Sequence, residues 1–288
     1  MRAFSQVDVF TAEPFRGNPL AVVHDGNGLS TDQMQRFANW TNLSETTFIV
    51  PPTDPKADYR TRIFTPDVEL PFAGHPTIGT CHVWLEAGGT PKTDGFVVQQ
   101  CGAGLITLRQ ADGRLAFAAP PLTRSGPVDE ADIVRACRVL GVERSDIVDA
   151  QWADNGPGWL AVMLDSAGAV LALEPDFAAG EASDIGVVGP HPLGVVGPHD
   201  DASGTDGAAI EVRAFFRSGG QPVEDPVTGS LNAALAQWLL PDGRLDAPYV
   251  AAQGTAIGRA GRVYVDAADG EIWVGGHTVV VVDGQVRL

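Results

Sequence analysis

Apolar and polar positions alternate along residues 3–10, which predicts a strand, and a second strand is predicted over residues 19–24. Residues 11–18 between them read as a turn or loop. Over Thr31–Thr41 the spacing becomes helical. Met34, Phe37 and Ala38 share a face, Ser30 stands at the N-cap, and Gln33 sits where a capping-box partner belongs. Asn42 to Ser44 ends that helix, and strands follow at Glu45–Val50 and Tyr59–Phe64. Residues 76–87 are apolar nearly all the way round (Ile78, Cys81, Val83, Trp84, Leu85), which predicts a buried helix stopping at Gly88-Gly89. Strands are predicted at 95–100, 105–110 and Arg114–Ala118, with Asp112-Gly113 as a hairpin turn. The Pro-rich residues 119–127 are the expected domain boundary.

The second half repeats the plan. Glu130–Leu140 is an amphipathic helix ending at Gly141, and strands are predicted at 149–153, 159–164, 169–173 and 208–217. The hexapeptide GVVGPH occurs at 186–191 and again at 194–199, which reads as a local duplication in a loop-and-strand region. A second nearly all-apolar helix is expected over 228–240, closed by Pro241-Asp242-Gly243. Strands at Tyr249–Gln253, 261–266, 271–274, 277–282 and 285–288 complete the chain. Many hairpin-linked strands and few helices disfavour a doubly wound sheet. The inventory predicts an α+β fold of two pseudo-symmetric halves, each a curved sheet wrapped around a central helix. Aligning the two apolar helices by their entry motifs sets Ala73 against Pro226 and Thr77 against Ser230. Such internal symmetry places the expected site at the seam between the halves.

Composition narrows the partners. The 288 residues carry a formal net charge of −17, which argues against nucleic acid or an anionic membrane surface. The three cysteines (Cys81, Cys101, Cys137) show neither disulfide nor metal spacing, no apolar run approaches a membrane span, and the start MRAFSQVDVFTAEPF lacks a signal pattern. A cytoplasmic protein is expected.

An acidic protein must hold an anion with local groups, and a helix start offers free N–H groups and partial positive charge. Two such starts stand out, PFAGHPTIGT and EDPVTGSLN. Gly229 and Ser230 present N–H groups and a hydroxyl. His75 reads as a structural cap or as a neutral hydrogen-bonding group. Asp225 reads as a turn residue or as a substrate-contacting acid. Glu45 reads as a strand-edge carboxylate facing water or as a desolvated proton carrier. There is no phosphate-loop lysine and no dinucleotide fingerprint, and Ser230 has no evident triad partners. His75 and His82 lie two helical turns apart without a third ligand nearby, so no metal site is expected.

Five strings, VDVFTAEPFRGNPLAVV, NLSETTFIV, RIFTPDVELPFAGHPTIGT, EDPVTGSLNAALAQW and QGTAIGRAGRVYV, run in this order from about residue 6 to the C-terminus. Together they resemble the PhzF-like phenazine-biosynthesis protein family. Residues 122–206 carry no distinctive motif. The resemblance implies a diaminopimelate epimerase-like fold, with one half over residues 1–120, completed by the last strand at about 279–288, and the other over 121–278. It implies a cofactor-independent isomerase, a homodimer acting on a small carboxylate substrate. Glu45 falls on the family's proton-carrying glutamate, Asp225 on its supporting aspartate and His75 on its site histidine. Gly74, Gly229 and Ser230 match its substrate-carboxylate contacts, Asn18 a site-lining asparagine, and Thr77 lies in the same motif.

The epimerase relatives use two thiols, one at each motif, and here those positions carry Ala73 and Pro226. A two-thiol racemase is disfavoured, and one carboxylate moving one proton is the remaining economical mechanism. The alternatives are a thiol-independent epimerase of amino-acid-like substrates and a non-catalytic anion-binding protein on the same fold.

Overall fold

The computed structural model describes residues 1–179, 184–192, 207–218 and 221–288. The chain divides into two compact units, one of Met1–Ala118 with Val274–Leu288 and one of Ala119–Trp273.

The first unit contains β1 (Arg2–Val9), β2 (Asn18–Val23), α1 (Thr31–Thr41), β3 (Glu45–Val50), β4 (Tyr59–Phe64), β5 (Glu69–Leu70), α2 (Gly74–Glu86), β6 (Phe96–Cys101), β7 (Gly104–Ala111) and β8 (Arg114–Ala118). The second contains β9 (Arg124–Pro127), α3 (Glu130–Leu140), β10 (Ile147–Asp154), β11 (Leu160–Leu164), α4 (Ala167–Leu171), β12 (Ile185–Pro190), β13 (Ile210–Ser218), β14 (Gln221–Asp225), α5 (Gly229–Leu239), β15 (Tyr249–Gln253) and β16 (Gly261–Ala268). The chain then leaves through β17 (Glu271–Gly276), and β18 (Thr278–Val286) belongs to the first unit.

Each unit follows one pairing scheme. β1 is antiparallel to β18 and β2, as β10 is to β9 and β11. The next link is parallel in both, β2–β3 and β11–β12, with α1 or α4 in the connection. β4 and β13 each pair antiparallel with the preceding strand and with a short following one, β5 or β14. Each also runs parallel to the strand after the long apolar helix, β6 or β15.

That helix is central because it has no polar face to give to water. From Gly74 to Cys81 every residue of α2 is buried, and the helix packs against β1, β2, β3, β6, β8 and β18. Gly79 allows this approach, since a Cβ there would lie 2.6 Å from Leu20 Cδ2 and 2.9 Å from Val9 Cγ2. In α5, Leu231, Leu235, Trp238 and Leu239 are all buried, each side chain contributing about 1.5–3 kcal/mol by leaving water. The amphipathic helices lie outside. Met34, Phe37 and Ala38 of α1 pack on Phe48 and Phe64, and Ser30 with Gln33 forms the capping box at its start. Among the described residues, no helix is long and apolar enough to cross a membrane.

Several sequence expectations change. Residues 169–173 were expected as a strand, but Ala167–Leu171 is helical because Ser166 caps it, its hydroxyl accepting from the Ala169 N–H. A short apolar run has no period to decide between strand and helix. β5, β9 and β14 were not expected, because sequences such as RSGP and QPVED show no alternation and acquire strand geometry only from their partners. The two expected final strands are one, since Asp283 and Gly284 continue the pairing with Ser5 and Phe4. The helix starts are also offset from the sequence alignment. The N-caps are Ala73 and Thr228, so Gly74 corresponds to Gly229 and His75 to Ser230. The first GVVGPH copy lies on β12 and its exit to His191, and the second lies outside the described residues.

Candidate active site

In the first unit the start of α2 is the candidate site. Ala73 has no side chain with which to cap it and Pro76 has no N–H, so Gly74 and His75 carry the N–H groups left over at the helix start. His75 is 5% exposed, and burial pushes its pKa down to about 3, so the imidazole is neutral at any ordinary pH. Asn18, wholly buried at the start of β2, places its amide nitrogen 3.3 Å from His75 Nδ1. An amide nitrogen only donates, so Nδ1 accepts and the ring proton sits on Nε2. Nε2 faces Glu45 Oε2 at 3.4 Å, longer than a formed hydrogen bond but close enough for the carboxylate to be guided by the N–H. Glu45 begins β3, with its side chain 14% exposed. Thr77 is turned into the core, where its hydroxyl accepts from Gln99 Nε2 at 3.0 Å.

In the second unit Asp225 ends β14 and Thr228 caps α5 by backbone geometry alone. Asp225 Oδ2 accepts the Thr228 hydroxyl at 2.6 Å. Gln253, wholly buried, ties the turn from below. Its Nε2 donates to Thr228 Oγ1 at 2.8 Å and to the Asp225 carbonyl at 3.1 Å. Its Oε1 accepts from the Thr228 N–H at 3.0 Å and from Asn232 Nδ2 at 2.9 Å. The N–H groups of Gly229 and Ser230 are thus presented on a rigid turn, as an anion site requires. The Ser230 hydroxyl accepts from Trp159 Nε1 at 3.1 Å, and its carbonyl accepts from Asn155 Nδ2 at 2.8 Å.

The structure thus gathers Glu45, His75, Asn18 and Gly74 around one helix start, and Asp225, Gly229 and Ser230 around the other. Gln99, Asn155, Trp159, Asn232 and Gln253 were missed. For Gln253 a signal existed, because it opens the QGTAIGRAGRVYV string.

The repeat extends to single residues. Arg62 holds Glu69 through two hydrogen bonds (2.7 and 2.6 Å) and lies over Phe64. Arg213 holds Glu224 in the same way (2.9 and 2.7 Å) and lies over Phe215. Counted from these anchors, Leu70 is the counterpart of Asp225, so only the second unit carries an acid there. Thr46 faces Phe64 as Ile185 faces Phe215, which makes Asp184 the counterpart of Glu45.

Burial, then the neighbouring Asp154, pushes the Asp184 carboxyl up to about 6. With its folded pKa above the unfolded value, Asp184 favours folding below about pH 4 and loses that contribution as pH rises through 6. Asp184→Asn is therefore expected to stabilise the protein at pH 7 by about 1–2 kcal/mol, after allowance for partial exposure, with no gain at pH 4. Urea unfolding at the two pH values measures this, and equal effects at both would refute it.

Comparison with known proteins places this arrangement. The family model for phenazine biosynthesis-like proteins matches residues 7–284. The Schizosaccharomyces pombe protein named antisense-enhancing sequence 1 is 43% identical over 183 residues, covering 61% of this chain and 62% of that protein. A trans-2,3-dihydro-3-hydroxyanthranilate isomerase of Pseudomonas aeruginosa is 33% identical over the full length of both chains. A phenazine biosynthesis protein structure from Enterococcus faecalis superposes over 100% of both chains with a TM-score of 0.78 at 24% identity. A hydroxyproline epimerase from Agrobacterium vitis gives 0.56 at 15% identity, over 99% of this chain and 94% of that one. These likenesses show the fold, an α+β architecture of the diaminopimelate epimerase type. With a family match across nearly the whole chain, the protein belongs to the phenazine biosynthesis-like family.

Proposed function

We propose that this protein is an isomerase that moves a proton within a small carboxylate substrate, with Glu45 as the acid/base. The observation that carries this reading is the pair at the α2 start, where buried, neutral His75 directs Nε2–H toward half-buried Glu45 at 3.4 Å. The glutamate takes a proton from one substrate carbon, becoming a carboxylic acid. The electron pair moves into the substrate's π-system, and the acid returns the proton to a different carbon. The step is redox-neutral and regenerates Glu45. The N–H groups of Gly229 and Ser230 hold the substrate carboxylate. Asp225, bonded to Thr228, keeps that turn in place rather than carrying the proton. The name of the Pseudomonas aeruginosa relative supplies the first substrate to try, trans-2,3-dihydro-3-hydroxyanthranilate.

The thiols support the carboxylate mechanism. Burial pushes Cys81 up to about 12 and raises Cys101 and Cys137 as well, so none is a ready thiolate. Replacing each by Ala in turn is expected to leave turnover of this substrate unchanged, whereas loss of an acid/base thiol would cost about 10²–10⁴ in rate. The reaction itself is followed by NMR. A product with a shifted double bond is expected. A product of unchanged constitution that has lost optical activity would replace this reading with an epimerase.

A further inference from the structure

Both helix starts have a latch. Asn18, the first residue of β2, opposes Val9 and donates to His75, the second residue of α2. Trp159 comes just before β11, its carbonyl accepts from the Ala153 N–H at 3.0 Å, and its indole N–H donates to Ser230, the second residue of α5. In each case the latched group could by itself donate or accept, since imidazole and hydroxyl do both. In each case the latch is a pure donor, an amide NH₂ or an indole N–H. A donor pointed at His75 Nδ1 leaves the ring's proton on Nε2. A donor pointed at Ser230 Oγ occupies an oxygen lone pair and turns the hydroxyl proton away from Trp159.

From this we infer that Trp159 is a positioning residue that makes the Ser230 hydroxyl an obligatory donor to the substrate carboxylate. The inference rests on the carboxylate-holding role proposed for Gly229 and Ser230. The backbone supports it independently. Asn155 Nδ2 holds the Ser230 carbonyl at 2.8 Å, and Asp154 Oδ1 accepts the Gly156 and Gly158 N–H groups at 2.7 Å each. The loop and the helix start are thus held without the indole N–H. What that N–H adds is the direction of one hydroxyl. Trp159 is 3% exposed, so its indole N–H is shielded from bulk water.

The test is calorimetric binding of anthranilate and of its uncharged counterpart anthranilamide, read without turnover. Trp159→Phe is expected to weaken anthranilate several-fold, less than the roughly ten-fold worth of a whole charge-assisted hydrogen bond because the hydroxyl remains and loses only its fixed direction, and to weaken the neutral anthranilamide less. If the smaller ring disturbs folding, 3-benzothienylalanine incorporated at position 159 keeps the bicyclic shape and removes only the N–H. Ser230→Ala should cost the full ten-fold or so, and the double variant should add nothing to that loss. Equal weakening of both ligands, or additive losses in the double variant, would overturn the latch while leaving the isomerase reading intact. Failure of the unsubstituted protein to bind anthranilate would count against the carboxylate grip and the latch together. The proton-carrying role of Glu45 is decided separately, by turnover.

Discussion

Glu45→Gln is expected to lower kcat by about 10³–10⁴ while leaving the affinity for a carboxylate analogue nearly unchanged. The two side chains have the same shape, and the amide oxygen can still face His75 Nε2–H, which lies 3.4 Å from the carboxylate in the native protein. What disappears is the capacity to take up and return a proton. The split between kcat and binding separates this role from a structural one, because a misfolded site would lose both. The pH profile supplies a second check. His75 is held neutral down to about pH 3 by burial, so activity should show no inflection near 6.5. Its linkage runs the same way. Its contribution to stability is complete above the ordinary histidine range and is lost as pH falls toward 3, because only the unfolded chain takes up the proton in that interval. Full activity in the Glu45→Gln protein would end the proton-shuttle proposal.

Gln253→Leu is expected to destabilise the protein by about 3 kcal/mol, lowering Tm by roughly 6–12 °C. Leucine fills nearly the same space, so the cost is polar. The Thr228 N–H and the Asn232 amide each lose an acceptor, and Thr228 Oγ1 and the Asp225 carbonyl each lose a donor. Asn232 is wholly buried and Thr228 6% exposed, so water is poorly placed to replace them. Part of the loss is recovered because Asn232 Nδ2 still reaches the Thr228 carbonyl at 2.9 Å and Asp225 still accepts the Thr228 hydroxyl. Calorimetric unfolding measures the shift. A change below about 1 kcal/mol would mean that the turn is held without the glutamine.

Much of the local structure was legible. α1 and α3 have the bounds the sequence predicts, because their caps and apolar faces are written within a few consecutive residues. The same holds for β3, β4, β8 and β15, whose alternation or apolar runs are local. The burial of α2 and α5 followed from their lack of a polar face. Glu45, His75 and Asp225 were singled out because short motifs surround them. Asn155 and Asp184 were not, because nothing adjacent to them in the chain distinguishes them from ordinary loop residues, and Trp159 read only as the first residue of a strand. The ion pairs Arg62–Glu69 and Arg213–Glu224 mark the repeat more sharply than the helix motifs do. They form between neighbouring strands, however, and their sequence spacings differ, 7 residues in one unit and 11 in the other.

The chain's own order of residues therefore determined the fold class, the two buried helices and the family. These depend on periodicity and capping, which act over one or two turns of chain. Tertiary structure decided which residue of each helix start faces its latch, moving the internal alignment by two positions so that His75 corresponds to Ser230. It also turned the Thr77 hydroxyl toward Gln99 and the Asp225 carboxylate toward the Thr228 hydroxyl. Those assignments rest on contacts such as Asn18 with His75, 57 residues apart, and Trp159 with Ser230, 71 apart. Their geometry is set by strand register and by the depth at which a helix packs, and neither is expressed in any local run of sequence.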